Sequence, residues 1–427
     1  TAQKIRHEIM SRQAFYDVLT SEVAAIDELG TAKRHEVVIE GFTKDPEPLA
    51  LIDGKNVHIF NSNDYLGLRH HTAVKEGEQK ASEQFGAGPG AVRFISGSLA
   101  VHRDLEKKLA QFHGRDDAMI FSSAFATNLA VLFCLIKGQR KDSLVASNVL
   151  VVSDALNHRS IIDGIRLANL GKEEKAIFKH MDPVDLERVL QENVGKFARA
   201  LIVTDGVFSM LGEIQRLKEI RAIIDSYDTQ YPEGVLLVVD DAHGIGACGK
   251  TGRGTEEVTG VKADVLVGTM GKAFGADGGY VVANQKVINY LREASATYIY
   301  SNSISPGTAG AALASVSVVE SSEGQALLEN LEKNKTLFKT EMTAAGFQFA
   351  ADSDHPIQPI LIGDAKKAGA LTKGLLQEGY LVTNLSYPVV TAGRDEIRVQ
   401  ISATHTEESI RSFVVAAKTV ATTVGIL

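Results

Sequence analysis

From about residue 62 to 320 the chain alternates short apolar runs with stretches of helical spacing, the runs falling near 118–121, 149–152, 176–178, 200–204, 235–239, 265–268 and 279–283. This rhythm predicts βα units, hence an α/β fold built on a mostly parallel sheet with helices packed on it. At 427 residues the chain exceeds the size at which a single core keeps growing, so a second packed unit is expected. After about residue 325 the pattern changes to a long charged helix, a strand near 359–362, a helix from Ala365, strands near 380–383 and 396–402, and a last helix to about 422. That order suits a smaller α+β domain. The expected division is 1–61, an N-terminal arm and hairpin packing with the small domain; 62–325, the large domain; and 326–427, the small domain. In the arm, Ile9, Phe15, Val18, Leu19, Val23, Ile26 and Leu29 follow amphipathic helical spacing. Residues 49–52 and 57–60 read as a hairpin around a four-residue turn at 53–56.

Charge and composition exclude several classes of function. A net charge of −8 spread over mixed-sign segments offers no basic stripe for nucleic acid or an anionic membrane surface. The most apolar window, 119–136, is broken by Ser122, Ser123, Thr127 and Asn128, short of the roughly 18 apolar residues of a spanning helix, and reads as a strand followed by a helix. Two cysteines, Cys134 and Cys248, cannot make a disulfide framework, and no apolar leader opens the chain at Thr1; a reducing cytoplasm is the expected address. Gly271-Lys272-Ala273 lacks the Ser or Thr and the glycine spacing of a P-loop, and Gly86-Ala87-Gly88-Pro89-Gly90 fails G-x-G-x-x-G. His70-His71 and His243 with Cys248 form no tetrahedral ligand set, so no metal is expected.

The chemistry gathers where apolar runs end. Leu201-Ile202-Val203 leads into Thr204-Asp205, Val235 through Val239 into Asp240-Asp241-Ala242-His243, and Val265-Leu266-Val267 into Gly268-Thr269-Met270-Gly271-Lys272. In open α/β sheets ligands lie beyond the carboxyl ends of the strands, so Asp205, Asp240, His243 and Lys272 are expected to converge on one small molecule. An aldehyde cofactor such as pyridoxal phosphate needs a lysine, an acid for the pyridine nitrogen and a cradle for its phosphate. Lys272 lies in a glycine-rich strand-end loop, Asp240 is the candidate acid, and Ser122 to Asn128 places small residues where a strand turns into a helix. His158, in Asp154-Ala155-Leu156-Asn157-His158, is placed to stack on a flat ring, and Arg398, within an alternating strand, suits a substrate carboxylate. Singly, each has an ordinary alternative: a surface lysine, a capping aspartate, a capped helix, a loop histidine, a cross-strand ion pair.

Asn63-Asp64-Tyr65-Leu66-Gly67-Leu68, Arg93-Phe94-Ile95-Ser96-Gly97, the run from Asp154 to Gly164, Asp240-Asp241-Ala242-His243-Gly244 and the Lys272 loop, in that order and spacing, resemble the α-oxoamine synthases. The likeness runs from about residue 12 to the C-terminus. It implies the pyridoxal-phosphate-dependent transferase fold of type I, like aspartate aminotransferase, and condensation of an amino acid with an acyl-CoA. Residues 154–167, Pro388-Val389-Val390, Arg398, Ser402-Ala403 and His405-Thr406 are most like the branch that joins glycine and acetyl-CoA, or a related acyl-CoA, into 2-amino-3-oxobutanoate and CoA, and reverses that step.

The resemblance implies Lys272 as the lysine that binds the cofactor, Asp240 on the pyridine nitrogen, His243 on the ring hydroxyl and His158 over the ring. It implies phosphate contacts from the backbone of Ala124 and Phe125, helped by Thr269, and from Ser301 and Asn302 to the neighbouring subunit, hence a homodimer with shared active sites. Asp205 and Ser209 would line the ring and its surroundings, and Asn63 and Arg398 would hold the amino acid. Two links, 137–148 and 225–234, look longer than in relatives and touch acyl-chain specificity or partners rather than the cofactor. The rivals are a decarboxylating synthase using another amino acid or a longer acyl-CoA, and a catalytically silent paralogue serving as partner or scaffold.

Overall fold

The computed structural model describes residues 2–29, 32–138, 140, 142–145, 148–387, 390–391 and 393–427, with side chains from Arg12 onward. The chain forms two compact units, residues 1–43 with 49–57 and residues 44–48 with 58–427. In the first, Ala2–Glu28 is helical, and Phe15, Val18, Leu19 and Val23 of the expected apolar stripe are exposed; the Ile9 side chain lies outside the described residues. The hairpin forms with a tighter turn than expected. Ile52 pairs with Lys55, leaving two residues, Asp53 and Gly54, at the bend. Both take positive φ (48° and 71°), the backbone of a turn whose twist matches the flanking strands, so two residues suffice where four were expected.

The second unit is built on a seven-stranded sheet. Its strands are β1 (Asp117–Phe121), β2 (Val149–Asp154), β3 (Lys175–Phe178), β4 (Arg199–Asp205), β5 (Val235–Asp240), β6 (Val265–Thr269) and β7 (Gly279–Ala283). They are the seven runs read from the sequence. Their order is β1-β7-β6-β5-β4-β2-β3, with β7 antiparallel to both neighbours and the other pairings parallel. Every residue of β1, β2, β4 and β7 is buried, as expected of strands covered on both faces and consistent with their Val, Ile and Leu content. The apolar window 119–136 resolves into most of β1 and the helix Ala124–Ile136. Among the described residues no helix is long and apolar enough to cross a membrane.

Register places the chemistry. Thr204 pairs with Val239 and Asp205 with Asp240, and Asp240 in turn pairs with Val267, so the acidic ends of β4 and β5 lie side by side at the edge where β6 enters the lysine loop. Gly279 at the start of β7 lies against the turn that opens the helix Ala124–Ile136. A Cβ there would collide with the backbone of Ser123 and Ala124, so glycine lets the helix start touch the sheet.

The C-terminal elements follow the expected order, with helices Ser322–Ala344, Ala365–Gln377 and Glu407–Thr423. Ile357–Leu361, Thr383–Leu385 and Glu396–Gln400 form a three-stranded antiparallel sheet, whose middle strand carries Arg398 opposite Pro359 and Thr383. Pro388 and Val389, quoted for the resemblance, lie outside the described residues.

One buried charge cluster ties the helix Ala100–His113 to β1 of the seven-stranded sheet, where Ile120 N–H donates to Glu106 at 3.3 Å and Arg103 donates to Asp117 at 2.7 Å. Glu106, with no exposed surface, accepts from Arg93 (3.1 and 3.3 Å), Arg103 (3.1 Å) and Arg292 (2.9 Å), and burial is outweighed by these guanidinium groups so that its pKa is lowered. Removing Glu106 leaves the buried Arg93 guanidinium without its carboxylate. Glu106→Ala is therefore expected to destabilise the fold by about 3–5 kcal/mol, measured by denaturant unfolding.

Candidate active site

β2 ends at Asp154, whose backbone carbonyl and carboxylate hold a short turn: Asn157 N–H reaches the carbonyl at 3.3 Å and Leu156 N–H the carboxylate at 2.9 Å. Asn157 then spans to β4, donating to Val203 O at 2.8 Å and accepting from Asp205 N–H at 2.9 Å. His158 follows, with its N–H on the Asp205 carboxyl at 2.9 Å. Its Nδ1 accepts from Ser160 N–H at 3.3 Å and lies 2.7 Å from Ser160 Oγ, so the side chain caps the helix Arg159–Leu167 and carries its proton on Nε2 when neutral.

Asp240, at the end of β5, accepts from Ala242 N–H at 3.0 Å and from the Asn128 amide at 2.6 Å. The same Asn128 nitrogen donates to Ser160 Oγ at 2.8 Å. One amide thus links Asp240, through Ser160, to His158. Asn128 sits one turn into the helix that begins at Ala124, capped by Ser123, whose Oγ accepts from Ala126 N–H at 3.1 Å. The first N–H groups of a helix precede any intrahelical acceptor, so those of Ala124 and Phe125 are available to an anion.

After β6 the chain folds back on itself: Thr269 Oγ1 and Met270 N–H both donate to Gly278 O (3.0 and 2.9 Å), and Gly275 N–H to Lys272 O (2.8 Å). Lys272 emerges from this loop into a cavity lined by Ala124, Phe125, His158, Asp205, Asp240, His243 and others. Ser160, Val207, Ser209 and Ala242 also line it. Among the described residues Lys272 Nζ makes no hydrogen bond or ion pair. Burial pushes its pKa down to about 8, against the pull of Asp240 and Asp205. Burial and the adjacent Asp240 raise the Asp205 carboxyl well above the usual range, the pattern of two carboxyl groups that cannot both ionise freely. Burial lowers both imidazoles, His243 strongly with the Lys272 charge adding to it. His243 Nδ1 lies 2.8 Å from Tyr65 Oη.

Arg398 does not line this cavity but is bonded to Ser209, which does. Nη1 donates to Ser209 O at 2.7 Å, Nη2 lies 3.4 Å from Gln400 Oε1, and Nε has no partner among the described residues. Gln400 also donates to Asn63, and Tyr65 Oη lies 3.4 Å from Asn63 Oδ1, so Asn63 is tied to the site without lining the cavity. Of the residues expected at the site, Lys272, Asp240, His243, His158, Asp205, Ser209, Ala124 and Phe125 line one cavity. Thr269 does not, its hydroxyl being engaged by Gly278, and Ser301 and Asn302 are exposed and line none of it.

Sequence reasoning gave no role to Asn128, Ser160, Tyr65 or Gln400. Asn128 had a signal: it stands at i+4 from Ala124, one turn along the same face. Tyr65 stood inside a quoted motif. Ser160 stood inside the quoted run from Asp154 to Gly164, while Gln400 carries no signal apart from the side chains it bonds.

The donor set fits pyridoxal phosphate: an unpaired, partly desolvated amine, a carboxylate fixed by two donors, free helix N–H groups, and flat imidazoles. The comparisons with known proteins agree. The family described as aminotransferase class I and II matches residues 55–416. A protein of Escherichia coli strain K12 named 2-amino-3-ketobutyrate coenzyme A ligase is 37% identical over 420 residues, covering 97% of this chain and all of that protein. An 8-amino-7-oxononanoate synthase 1 of Bacillus velezensis is 40% identical over 365 residues, 85% of this chain and 88% of that one. The solved serine palmitoyltransferase of Sphingomonas wittichii superposes with a TM-score of 0.85 at 27% identity, covering 96% of this chain and 98% of that one.

Proposed function

This chain belongs to the aminotransferase class I and II family, and from that premise we propose that it is a pyridoxal-phosphate-dependent glycine C-acetyltransferase, joining glycine and acetyl-CoA into 2-amino-3-oxobutanoate and CoA and catalysing the reverse cleavage. The observation that carries the reading is the meeting of Lys272, Asp240, His243 and His158 in one cavity. In this reading Lys272 holds the cofactor aldehyde carbon, Asp240 the pyridine nitrogen, His243 the ring hydroxyl and His158 the ring face. Ala124, Phe125 and Thr269 serve the phosphate. The bound cofactor supplies an electron-poor ring that takes up the electron pair left when a proton departs from the α-carbon of the amino acid.

Everything else falls to the chain. Arg398, with Nη1 anchored on Ser209 O, offers Nε and its remaining N–H groups to the glycine carboxylate, and Asn63 stands beside it. Lys272, its pKa near 8, is a ready base for the α-proton at neutral pH. Asp240, held by Asn128 and Ala242, keeps a proton on the ring nitrogen. The new carbon–carbon bond joins the α-carbon to the acetyl carbonyl carbon as the thioester C–S bond breaks, releasing CoA.

We extend the reading to a homodimer in which Ser301 and Asn302 serve the partner's phosphate site. Exposed Phe94 and Ile95 (64% each) and Tyr300 (71%) support it, since large apolar groups left bare on one chain suit an interface. A cytoplasmic location is supported by Cys134 and Cys248, both free and buried. The division 62–325 and 326–427 is retained as cofactor-binding and small domains.

A decarboxylating reading, with another amino acid or a longer acyl group, is favoured by the 40% identity to the 8-amino-7-oxononanoate synthase. Incubating the protein with pyridoxal phosphate, each of glycine, alanine and serine, and acyl-CoAs of increasing length separates the two. Thiol release is expected with glycine and acetyl-CoA, with 2-amino-3-oxobutanoate as the product trapped by reduction. Release confined to alanine or serine, with carbon dioxide, would replace the proposal by its rival.

A further inference from the structure

His180 belongs to no motif that the resemblance used, yet it joins the two segments that frame the cavity. It follows β3, and Asp182 N–H closes the turn onto Lys179 O at 3.0 Å with Met181 at a φ of 51°. The His180 Nδ1 lies 2.9 Å from Asp154 Oδ1 and its Nε2 3.0 Å from Glu213 Oε2. Both ring nitrogens face carboxylate oxygens, an arrangement that only the doubly protonated ring satisfies on both sides. The ring of Phe208 meets it edge to face with centroids 4.3 Å apart.

The two carboxylates sit on different functional segments. Asp154, fully buried, also accepts from Leu156 N–H, Met181 N–H and Gln215 Nε2, and so braces the turn that carries His158. Glu213 pairs with Phe208 in the hairpin Val207–Phe208 and Glu213–Ile214, whose loop carries Ser209, the residue on which Arg398 rests. Val207 and Ser209 line the cavity.

We propose that His180, as an imidazolium, is a positioning residue: it clamps the His158 turn to the 207–214 hairpin and thereby fixes the spacing between the ring-stacking histidine and the Arg398 carboxylate site. Its use in substrate binding rests on the acyltransferase reading; the clamp itself does not. The charged groups facing it are Asp154 from the end of β2 and Glu213 from the hairpin, while Phe208 and Gln215 near it are uncharged. The two carboxylates outweigh burial and raise its pKa to about 9, so the clamp is charged throughout the neutral range and loosens as pH climbs through 9.

The test uses the cofactor-loaded protein with His180→Gln and Glu213→Gln. Imidazole titration by NMR is expected to place His180 near pH 9, and amide hydrogen exchange should quicken at least tenfold across 155–160 and 207–214 in His180→Gln. Glu213→Gln, which leaves Asp154 bonded, should quicken 207–214 alone. Both should raise the KM for glycine at least fivefold with a smaller change in kcat. Titration near 6.5, exchange within twofold of the parent in both segments, or a lowered Tm with KM and exchange unchanged would overturn the proposal. If His180→Gln fails to fold, Glu213→Gln, on a partly exposed side chain, decides it. Should the parent turn over no glycine, titration and exchange still decide the clamp.

Discussion

Lys272→Ala is expected to abolish turnover, by about 10⁴-fold or more in kcat, because in the proposed reading the same amine is both the anchor of the cofactor and the base for the α-proton. The variant should also lack the visible absorbance that the parent gains on adding pyridoxal phosphate. Lys272→Met adds a stability readout. A buried lysine with its folded pKa near 8, below the ordinary 10.5, carries a charge penalty that is fully present below pH 8 and disappears as pH rises towards 10.5. Replacing it with an uncharged chain should therefore stabilise the cofactor-free protein at pH 7, by at most about 3 kcal/mol at about 1.36 kcal/mol per pH unit. Thermal melts across pH check the sign: the gain over the parent should shrink above pH 8. A destabilised Lys272→Met at pH 7 with intact turnover would remove Lys272 from the site.

Asp240→Asn should cost about 10²–10⁴-fold in kcat while leaving the fold and cofactor binding largely in place. Asparagine keeps the size, and its oxygen can keep the bond from Asn128 or Ala242. It cannot hold a proton on a ring nitrogen. Asp205 should respond as well: its carboxyl is raised partly by the Asp240 charge, so neutralising Asp240 is expected to lower the Asp205 pKa. Steady-state kinetics and carboxyl titration by NMR measure the two effects. Turnover within threefold of the parent would show that the ring nitrogen is served by another group.

Much of this was legible because strand ends are legible. The apolar runs that became β4, β5 and β6 stop at polar residues, and parallel pairing brings such stops to one edge, so Asp205, Asp240 and Lys272 could be grouped before any coordinates. The hairpin turn was misjudged by two residues because Asn56 is a turn-forming type like Asp53 and Gly54, and only the register Ile52–Lys55 separates turn from strand. Asn128, Ser160 and His180 were missed for another reason. Their partners lie 112, 2 and 33 residues away, and each acts by bonding a side chain, a pairing that periodicity does not record.

The reversed strand has a consequence for biosynthesis. β1 pairs only with β7, so the segment offering Ala124 and Phe125 has no place in the sheet until residues 279–283 are made, some 160 residues after β1 itself. On a ribosome the nascent chain must therefore carry the Ala124–Phe125 segment unpaired in the sheet while some 160 further residues are made. In the proposed reading, cofactor loading then waits until about two-thirds of the chain has been made, and a fragment ending before residue 279 would hold the acids without an anchored cradle.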